Sequence, residues 1–322
     1  MNNQCKICVN SLNNEVFVVR EMMYGTRENF NYFRCSSCGC LQIAEFPKDM
    51  SKFYPNESYY SLQQQHDRTW SRKVRNTIKS CFFNIFFYVE GGLFFVKKIP
   101  LIRRWLESLV WLKMLIQQKA IKKTSSILDV GCGAGHLLQE LSLWGFKNLT
   151  GIDPFIEKDI LLDDRRSKIF KQDVFNHTGM YDLIMLHHSF EHMENPQQVL
   201  KQLYNILNPK GFLLIRIPVS DSFAWRKYGV DWYQIDAPRH FFLHSAKSIN
   251  LMSKSAGFVL KQVVHDSIDA QFLYSEKYCR DISSFEELGF STKYLKNCEK
   301  HARWLNKIMD GDQACFLFQK EE

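Results

Sequence analysis

From Ser125 onward the chain alternates short apolar runs with amphipathic stretches. The runs SSILDV (125–130), NLTGID (148–153), SKIFKQDV (167–174), YDLIMLH (181–187) and GFLLIRIP (211–218) predict five strands; FVLKQVVHDS (258–267) and QACFLFQK (313–320) predict a sixth and a seventh. YDLIMLH is almost continuously apolar, the pattern of a parallel strand buried on both faces. After the first strand, HLLQELSLWGF places Leu137, Leu138, Leu141 and Trp144 on one helical face and stops at Gly145. After the fourth, Asn195 can cap a helix and Pro196 suits its first position. Val199, Leu200, Leu203 and Leu207 form that helix's apolar stripe, and Asn208-Pro209 predicts its end. Strands alternating with helices predict an α/β fold around a mostly parallel sheet.

Two earlier zones differ. Residues 1–65 carry paired cysteines, and residues 66–123 are basic and apolar by turns. The predicted organisation is a small module over 1–65, a helical segment over 66–123 and a catalytic domain over 124–322 with an insert at about 219–247. At 322 residues, 45% hydrophobic and 24% charged, the composition suits one large or two modest cores. The charge is local: residues 66–123 hold 13 Lys and Arg against three acids, a balance of +10 in a chain whose total is +8. Such a patch predicts an anionic partner. Within it, CFFNIFFYVEGGLFFV (81–96) is too short for a typical spanning helix and contains Asn84, Glu90 and Gly91-Gly92. Two readings stand for it: a helical lid, or an interfacial segment over 81–104 lying on anionic lipid. No nucleic-acid-binding fold accompanies the charge, which argues against a nucleic-acid partner. MNNQCKICVN has no apolar core for export. The expectation is a cytoplasmic protein, peripheral to the inner membrane face if 81–104 is interfacial, whose ten cysteines serve as thiols and metal ligands.

LDVGCGAG (128–135) places Gly131, Gly133 and Gly135 directly after the first strand, with Asp129 two residues before the first glycine. Glycines let the backbone approach a ligand closely. An acid in that place disfavours a phosphate and suits a ligand bearing an ammonium group. Asp153, at the end of the second strand, is placed to accept from ribose hydroxyls, and Asp173, at the end of the third, to reach an adenine amino group.

LDVGCGAG, GIDP, KQDVF, HHSFEHMENP and LNPKGFLLIRIP occur in the order and spacing of the class I S-adenosylmethionine (SAM) methyltransferases, which the chain resembles over about residues 124–322. The resemblance implies a Rossmann-like sheet of seven strands, the last antiparallel. It implies SAM held by Asp129, Gly131, Cys132, Gly133, Gly135, Asp153, Asp173 and His187.

Cys5-x-x-Cys8 and Cys35-x-x-Cys38 have the two-knuckle arrangement of a zinc ribbon, in which four thiolates close a tetrahedron around a structural Zn2+; Cys40 is off-pattern. A cysteine-pair module ahead of a SAM domain, together with WYQIDAPRHFFLHS (232–245), is similar to a subset of bacterial methyltransferases that includes sugar C-methyltransferases. That implies a small-molecule or glycan acceptor: a sugar nucleotide or glycan intermediate of surface-polysaccharide or natural-product biosynthesis. The alternatives are an O- or C-methyltransferase of a lipidic or small aromatic acceptor, and a non-catalytic SAM-fold binding protein. Within the insert, Trp232, Tyr233, Asp236, Arg239 and His240 are candidate substrate contacts, the other reading being a structural turn held by an Asp–Arg pair.

The densest polar stretch is HHSFEHMENP (187–196). His188, Glu191 and His192 spell H-x-x-E-H, an order found in one class of zinc peptidase. That chemistry needs both histidines on one helix, and the flanking strand and the helix start at Asn195-Pro196 forbid it. The stretch is a loop at the carboxyl end of a strand, where ligands bind in open α/β sheets. His192 is the first candidate for a general base, with His188 second and Glu191 orienting the imidazole or binding an acceptor hydroxyl; the other readings are polar residues that merely close a loop, and a bound metal.

Overall fold

The computed structural model describes residues 3–54 and 109–321. The candidate lid or membrane segment at 81–104 lies outside them. No helix among the described residues is long and apolar enough to cross a membrane.

The strands are β1 (Glu15–Arg20), β2 (Asn29–Arg34), β3 (Leu41–Ile43), β4 (Ser126–Val130), β5 (Asn148–Ile152), β6 (Ile160–Leu161), β7 (Lys168–Phe170), β8 (Tyr181–His187), β9 (Leu207–Pro218), β10 (Phe242–Leu243), β11 (Phe258–His265) and β12 (Gln313–Lys320). The α-helices are α1 (Val110–Gln117), α2 (His136–Leu143), α3 (Pro196–Asn205), α4 (Phe223–Tyr228), α5 (Ala246–Ser255), α6 (Ala270–Cys279) and α7 (Thr292–Lys307). All seven strands predicted over 125–320 occur.

The described chain divides into two compact units that are not consecutive in sequence. One comprises residues 109–187, 202–214 and 317–321. Its strand order is β9-β8-β4-β5-β7-β6, with β4 parallel to β5 and β8, β5 parallel to β7, and the two-residue β6 antiparallel at the edge. Ile127, Leu128, Leu138, Leu141, Ile169, Leu183, Ile184, Met185 and Leu186 are completely buried there, the outcome the apolar runs predict. This is a mixed α/β, Rossmann-like architecture.

The other unit comprises residues 3–54, 188–201 and 215–316. It contains the order β11-β12-β9 and a separate four-stranded sheet, β1-β2-β3-β10. In that sheet β1 and β2 form an antiparallel hairpin, and β10 pairs antiparallel with β3, Phe242 opposite Gln42 and Leu243 opposite Leu41. The N-terminal strands are thus completed by a strand about 200 residues later, a continuity that hydropathy does not reveal. Tyr32 on β2 is fully buried, and its hydroxyl donates to the carbonyl of His240 at 2.8 Å.

Two boundaries correct the sequence reading. The helix expected to run to Asn208-Pro209 ends at Asn205, and β9 begins at Leu207, so Leu207 is buried as a strand residue and Pro209 lies inside the strand. Proline is tolerated in a strand where its missing N–H faces no ladder partner. The third predicted strand shortens to three residues because Asp173 turns the chain: its Oδ1 accepts from Phe175 N at 2.7 Å and caps a one-turn 3-10 helix.

Candidate functional site

The glycine loop leaves β4 with Gly131, Gly133 and Gly135 all at positive φ. Gly135 is held to glycine twice over, by φ +80° and because a Cβ would collide with Ile169. Gly131 N donates to Ile152 O at 2.8 Å, and Gly133 N donates to Asp153 Oδ2 at 2.8 Å, so the end of β5 shapes the loop. Asp153 Oδ1 accepts from Phe155 N at 2.8 Å, which fixes the carboxylate plane. Asp129 is 3% exposed. Burial, and secondarily the Asp153 carboxylate, push its carboxyl up to about 7. A ligand ammonium is the group that would ionise it. Burial also raises the Cys132 thiol, and its Sγ stands against Gly151, where a side chain would clash with it. Asp173 is partly exposed at its cap position, and the His187 ring packs edge-on to Trp111 at 4.8 Å between centroids. These residues all lie in the 109–187 part of their unit.

The H-x-x-E-H residues lie in the other unit. β8 stops at His187, His188 takes φ +53°, and residues 190–192 make a single 3-10 turn rather than a helix carrying both histidines. Glu191 is completely buried, and neither carboxylate oxygen takes a hydrogen bond among the described residues. Histidines surround it instead. His188 Nδ1 is 3.4 Å and His240 Nε2 4.0 Å from Oε1, both at ion-pair distance. Burial alone would raise this carboxyl, but His188, His192 and His240 outweigh it and hold it down at about 2.

His192 has a fixed tautomer. Its Nδ1 lies 2.9 Å from the carbonyl of Arg239, which can only accept, so Nδ1 carries the proton and Nε2 the lone pair. The Tyr54 hydroxyl also approaches Nδ1, at 3.2 Å. Burial first, and His240 next, lower the imidazole's affinity for a second proton. His240 is set the same way, its Nδ1 donating to Gln234 O at 2.7 Å and its Nε2 turned toward Glu191 and Asp236.

The insert residues divide. Arg239 is completely buried and committed: Nε and Nη2 to Asp236 at 2.9 and 2.5 Å, Nη2 to Glu21 at 3.0 Å, Nη1 to Phe53 O at 3.4 Å. Trp232 is buried, with Nε1 donating to Asp312 at 3.0 Å. The Asp–Arg structural turn is therefore present, built on the αL backbone of Asp236. Tyr233 stacks on Tyr274 at 5.6 Å, and only His240 of the five points at Glu191. Glu21, Tyr54 and Asp312 are partners that single-sequence reasoning misses, because each lies 80 to more than 200 positions from the residue it serves.

The four paired cysteines converge. Cys5 and Cys38 are 3.6 Å apart between sulfurs, Cys8 and Cys35 3.5 Å, and all four sulfurs lie within 4.8 Å of one another. Each knuckle closes alike: Val9 N donates to Cys5 O, Gly39 N to Cys35 O, with positive φ at Val9 and Gly39. Hydrogen bonds from Cys38, then from backbone and from Gln42 Nε2 at 3.2 Å, pull Cys5 down to about 4 against its burial. Cys40 is buried outside the quartet. Both knuckles are tied into their unit. Gln197 Nε2 donates to Lys6 O and Ile7 O at 3.2 and 3.1 Å, Ser220 Oγ to Gly39 O at 2.8 Å and Ser245 Oγ to Cys38 O at 2.5 Å.

A family model described as "Methyltransferase domain" matches residues 102–263, half of the chain. The chain belongs to the methyltransferase domain family. Membership supports the SAM-binding reading of the glycine loop. The methyltransferase domain is 33% identical over 114 residues to the mitochondrial ubiquinone biosynthesis O-methyltransferase of Saccharomyces cerevisiae, covering 31% of this chain and 36% of that protein. It is 27% identical over 143 residues to a tRNA U34 carboxymethyltransferase of Helicobacter pylori (41% and 54%), and 32% identical over 131 residues to human EEF1A lysine methyltransferase 2 (34% and 54%). The chain thus spans between about a third and about half of the length of these curated relatives. A SAM-dependent methyltransferase structure from Archaeoglobus fulgidus is similar at TM-score 0.42 and 18% identity, over 66% of this chain and 94% of that one.

Proposed function

We propose that the protein is a SAM-dependent methyltransferase acting on a hydroxyl or acidic carbon of a small-molecule acceptor, a sugar nucleotide or glycan intermediate being the class its sequence favours. The observation that carries the reading is His192. Burial lowers its affinity for a second proton, the Arg239 carbonyl pins its one proton on Nδ1 and leaves Nε2 the lone pair, and the ring shares a cluster within 4.8 Å with the buried, ionised Glu191. Bound SAM would supply an electrophilic methyl group. Asp129 would take its ammonium, Asp153 its ribose hydroxyls, and the glycine backbone would give it room. Transfer to an O–H or C–H acceptor leaves one proton to remove. His192 Nε2 accepts it, and the imidazolium formed is stabilised by Glu191.

The cysteine quartet fits a structural zinc ion. Tetrahedral Zn–S bonds of about 2.3 Å require sulfurs about 3.8 Å apart. The two close pairs, at 3.5 and 3.6 Å, already approach that spacing, and a closed four-thiolate site leaves no position for catalysis.

The test is transfer of labelled methyl from SAM to a fractionated cell extract, with wild type beside His192→Ala. Transfer to a small-molecule fraction that falls about 100-fold in the variant, at unchanged SAM affinity, is expected. No transfer to any fraction would favour a SAM-fold binding protein. Label on tRNA or protein would overturn the acceptor class.

A further inference from the structure

Glu191 is a carboxylate with zero exposure and no hydrogen bond to either oxygen among the described residues, whereas three other buried carboxylates, Asp153, Asp266 and Asp312, are each served. Asp153 takes two backbone N–H groups, Asp266 an arginine, Asp312 an indole. Its nearest basic group is His188, whose Nδ1 stands 3.4 Å from Oε1 without a hydrogen bond, and a buried anion with no hydrogen bond is a place where a cation binds favourably. Of the three imidazoles about it, His192 and His240 are set up alike. His192 donates Nδ1–H to Arg239 O at 2.9 Å and His240 donates Nδ1–H to Gln234 O at 2.7 Å, so both direct Nε2 lone pairs away from the backbone. Anchoring of the far ring nitrogen on a carbonyl is how proteins orient metal-ligating histidines. One donor atom each from Glu191, His192 and His240 lie within 4.8 Å of one another, with His240 Nε2 4.0 Å from Glu191 Oε1. Asp236 is 3.8 Å from the same Nε2 but is engaged by Arg239, so it stays outside the ligand set.

We propose that Glu191, His192 and His240 form a second metal site, a two-histidine, one-carboxylate set for a borderline divalent cation such as Zn2+ or Co2+, and that the ion and the proton acceptor of methyl transfer exclude each other. The site differs in kind from the cysteine quartet: three hard or borderline donors leave at least one coordination position open. Because the ion takes the Nε2 lone pair of His192, no proton can be accepted there while the ion is bound. The site is therefore inhibitory. This second clause rests on His192 as the base; the binding clause does not.

The experiment loads the quartet with Zn2+, removes excess metal, and titrates Co2+ into the full chain. Expected is one further Co2+ per chain, with the visible d–d absorption of a low-coordinate N/O site and no sulfur charge-transfer band. Glu191→Gln and, independently, His240→Ala should each weaken it at least about 10-fold while circular dichroism and SAM affinity stay unchanged. Labelled-methyl transfer should fall in step with Co2+ occupancy and recover on chelation. Absence of saturable binding overturns the site, as does equal affinity in both folded variants. Binding with undiminished transfer overturns the exclusion. Zinc-loaded protein that transfers no methyl with the second site empty would refute the proposed methyl transfer while leaving Co2+ binding measurable.

Discussion

Asp129, near the carboxyl end of β4, and Glu191, in the turn that follows β8, are both buried carboxylates, and their surroundings drive them in opposite directions. Asp129 has glycine backbone, apolar strand and a second carboxylate about it, and it is pushed up to about 7. Glu191 has three histidines about it, and it is held at about 2. Burial raises both; what differs is the charge supplied by neighbours. The first site is short of a cation until a ligand brings one. The second carries its own basic groups from elsewhere in the chain. An ammonium-bearing cofactor suits the former, and a proton taken up during reaction suits the latter.

The scaffold under Glu191 is where the largest effect is expected. Arg239→Ala leaves Glu21 and Asp236 buried without their cation and should lower unfolding free energy by about 3–5 kcal/mol, read from urea melts. Arg239→Met combined with Glu21→Gln should recover part of it. A loss under 1 kcal/mol would mean the charge network does not support the loop.

The carboxylates themselves should respond with opposite signs. Folded Asp129 holds its proton up to about pH 7, whereas the unfolded chain releases it near pH 4. Stability is therefore present at low pH and lost as pH rises across that window, and Asp129→Asn should stabilise at pH 8 by about 2–4 kcal/mol while weakening SAM binding. Glu191 is the reverse case: its contribution is present above about pH 4.5 and lost as pH falls through 2. Glu191→Gln should thus destabilise by about 2–3 kcal/mol at pH 7. Shifts of the same sign in the two variants would break the contrast.

Turnover should separate the sites next. His192→Ala is expected to lower methyl transfer about 100-fold at unchanged SAM affinity, and Asp153→Ala to weaken SAM by about 2 kcal/mol. The smallest effect is protonic. Since SAM must find Asp129 ionised, affinity should fall about tenfold per pH unit below 7 and level off above it, with proton release on binding visible by calorimetry in buffers of different ionisation heat.

What was legible in the sequence follows the same division. The Asp129 site is made by residues of one strand-turn-helix and the two strands after it, so periodicity and glycine spacing were enough to find it. The boundaries that slipped, at Leu207 and at Asp173, were set respectively by strand pairing and by a side-chain cap, which local pattern does not encode. At Glu191 the loop was legible, and so were the histidines. The reason Arg239 serves as a strut was not, because Glu21 and Phe53 O come from the N-terminal segment. The N-terminal residues looked like a consecutive module. Their pairing with β10 and their bonds to Ser220 and Ser245 join segments about 200 positions apart, and no local signal carries that.

The β3–β10 pairing has a consequence for how the chain is made. All four quartet cysteines have been synthesised by residue 38, yet the strand that finishes their sheet lies at 242–243. At about 5–20 residues per second, that partner is synthesised about 10–40 s later. During the wait the hairpin of β1 and β2 has β3 as an open edge, the kind of edge that pairs with the wrong strand. An ion captured early by the two knuckles would hold the short segment in register until its distant partner arrives. Metal supply during translation, more than in the finished protein, would then govern the yield of folded molecules.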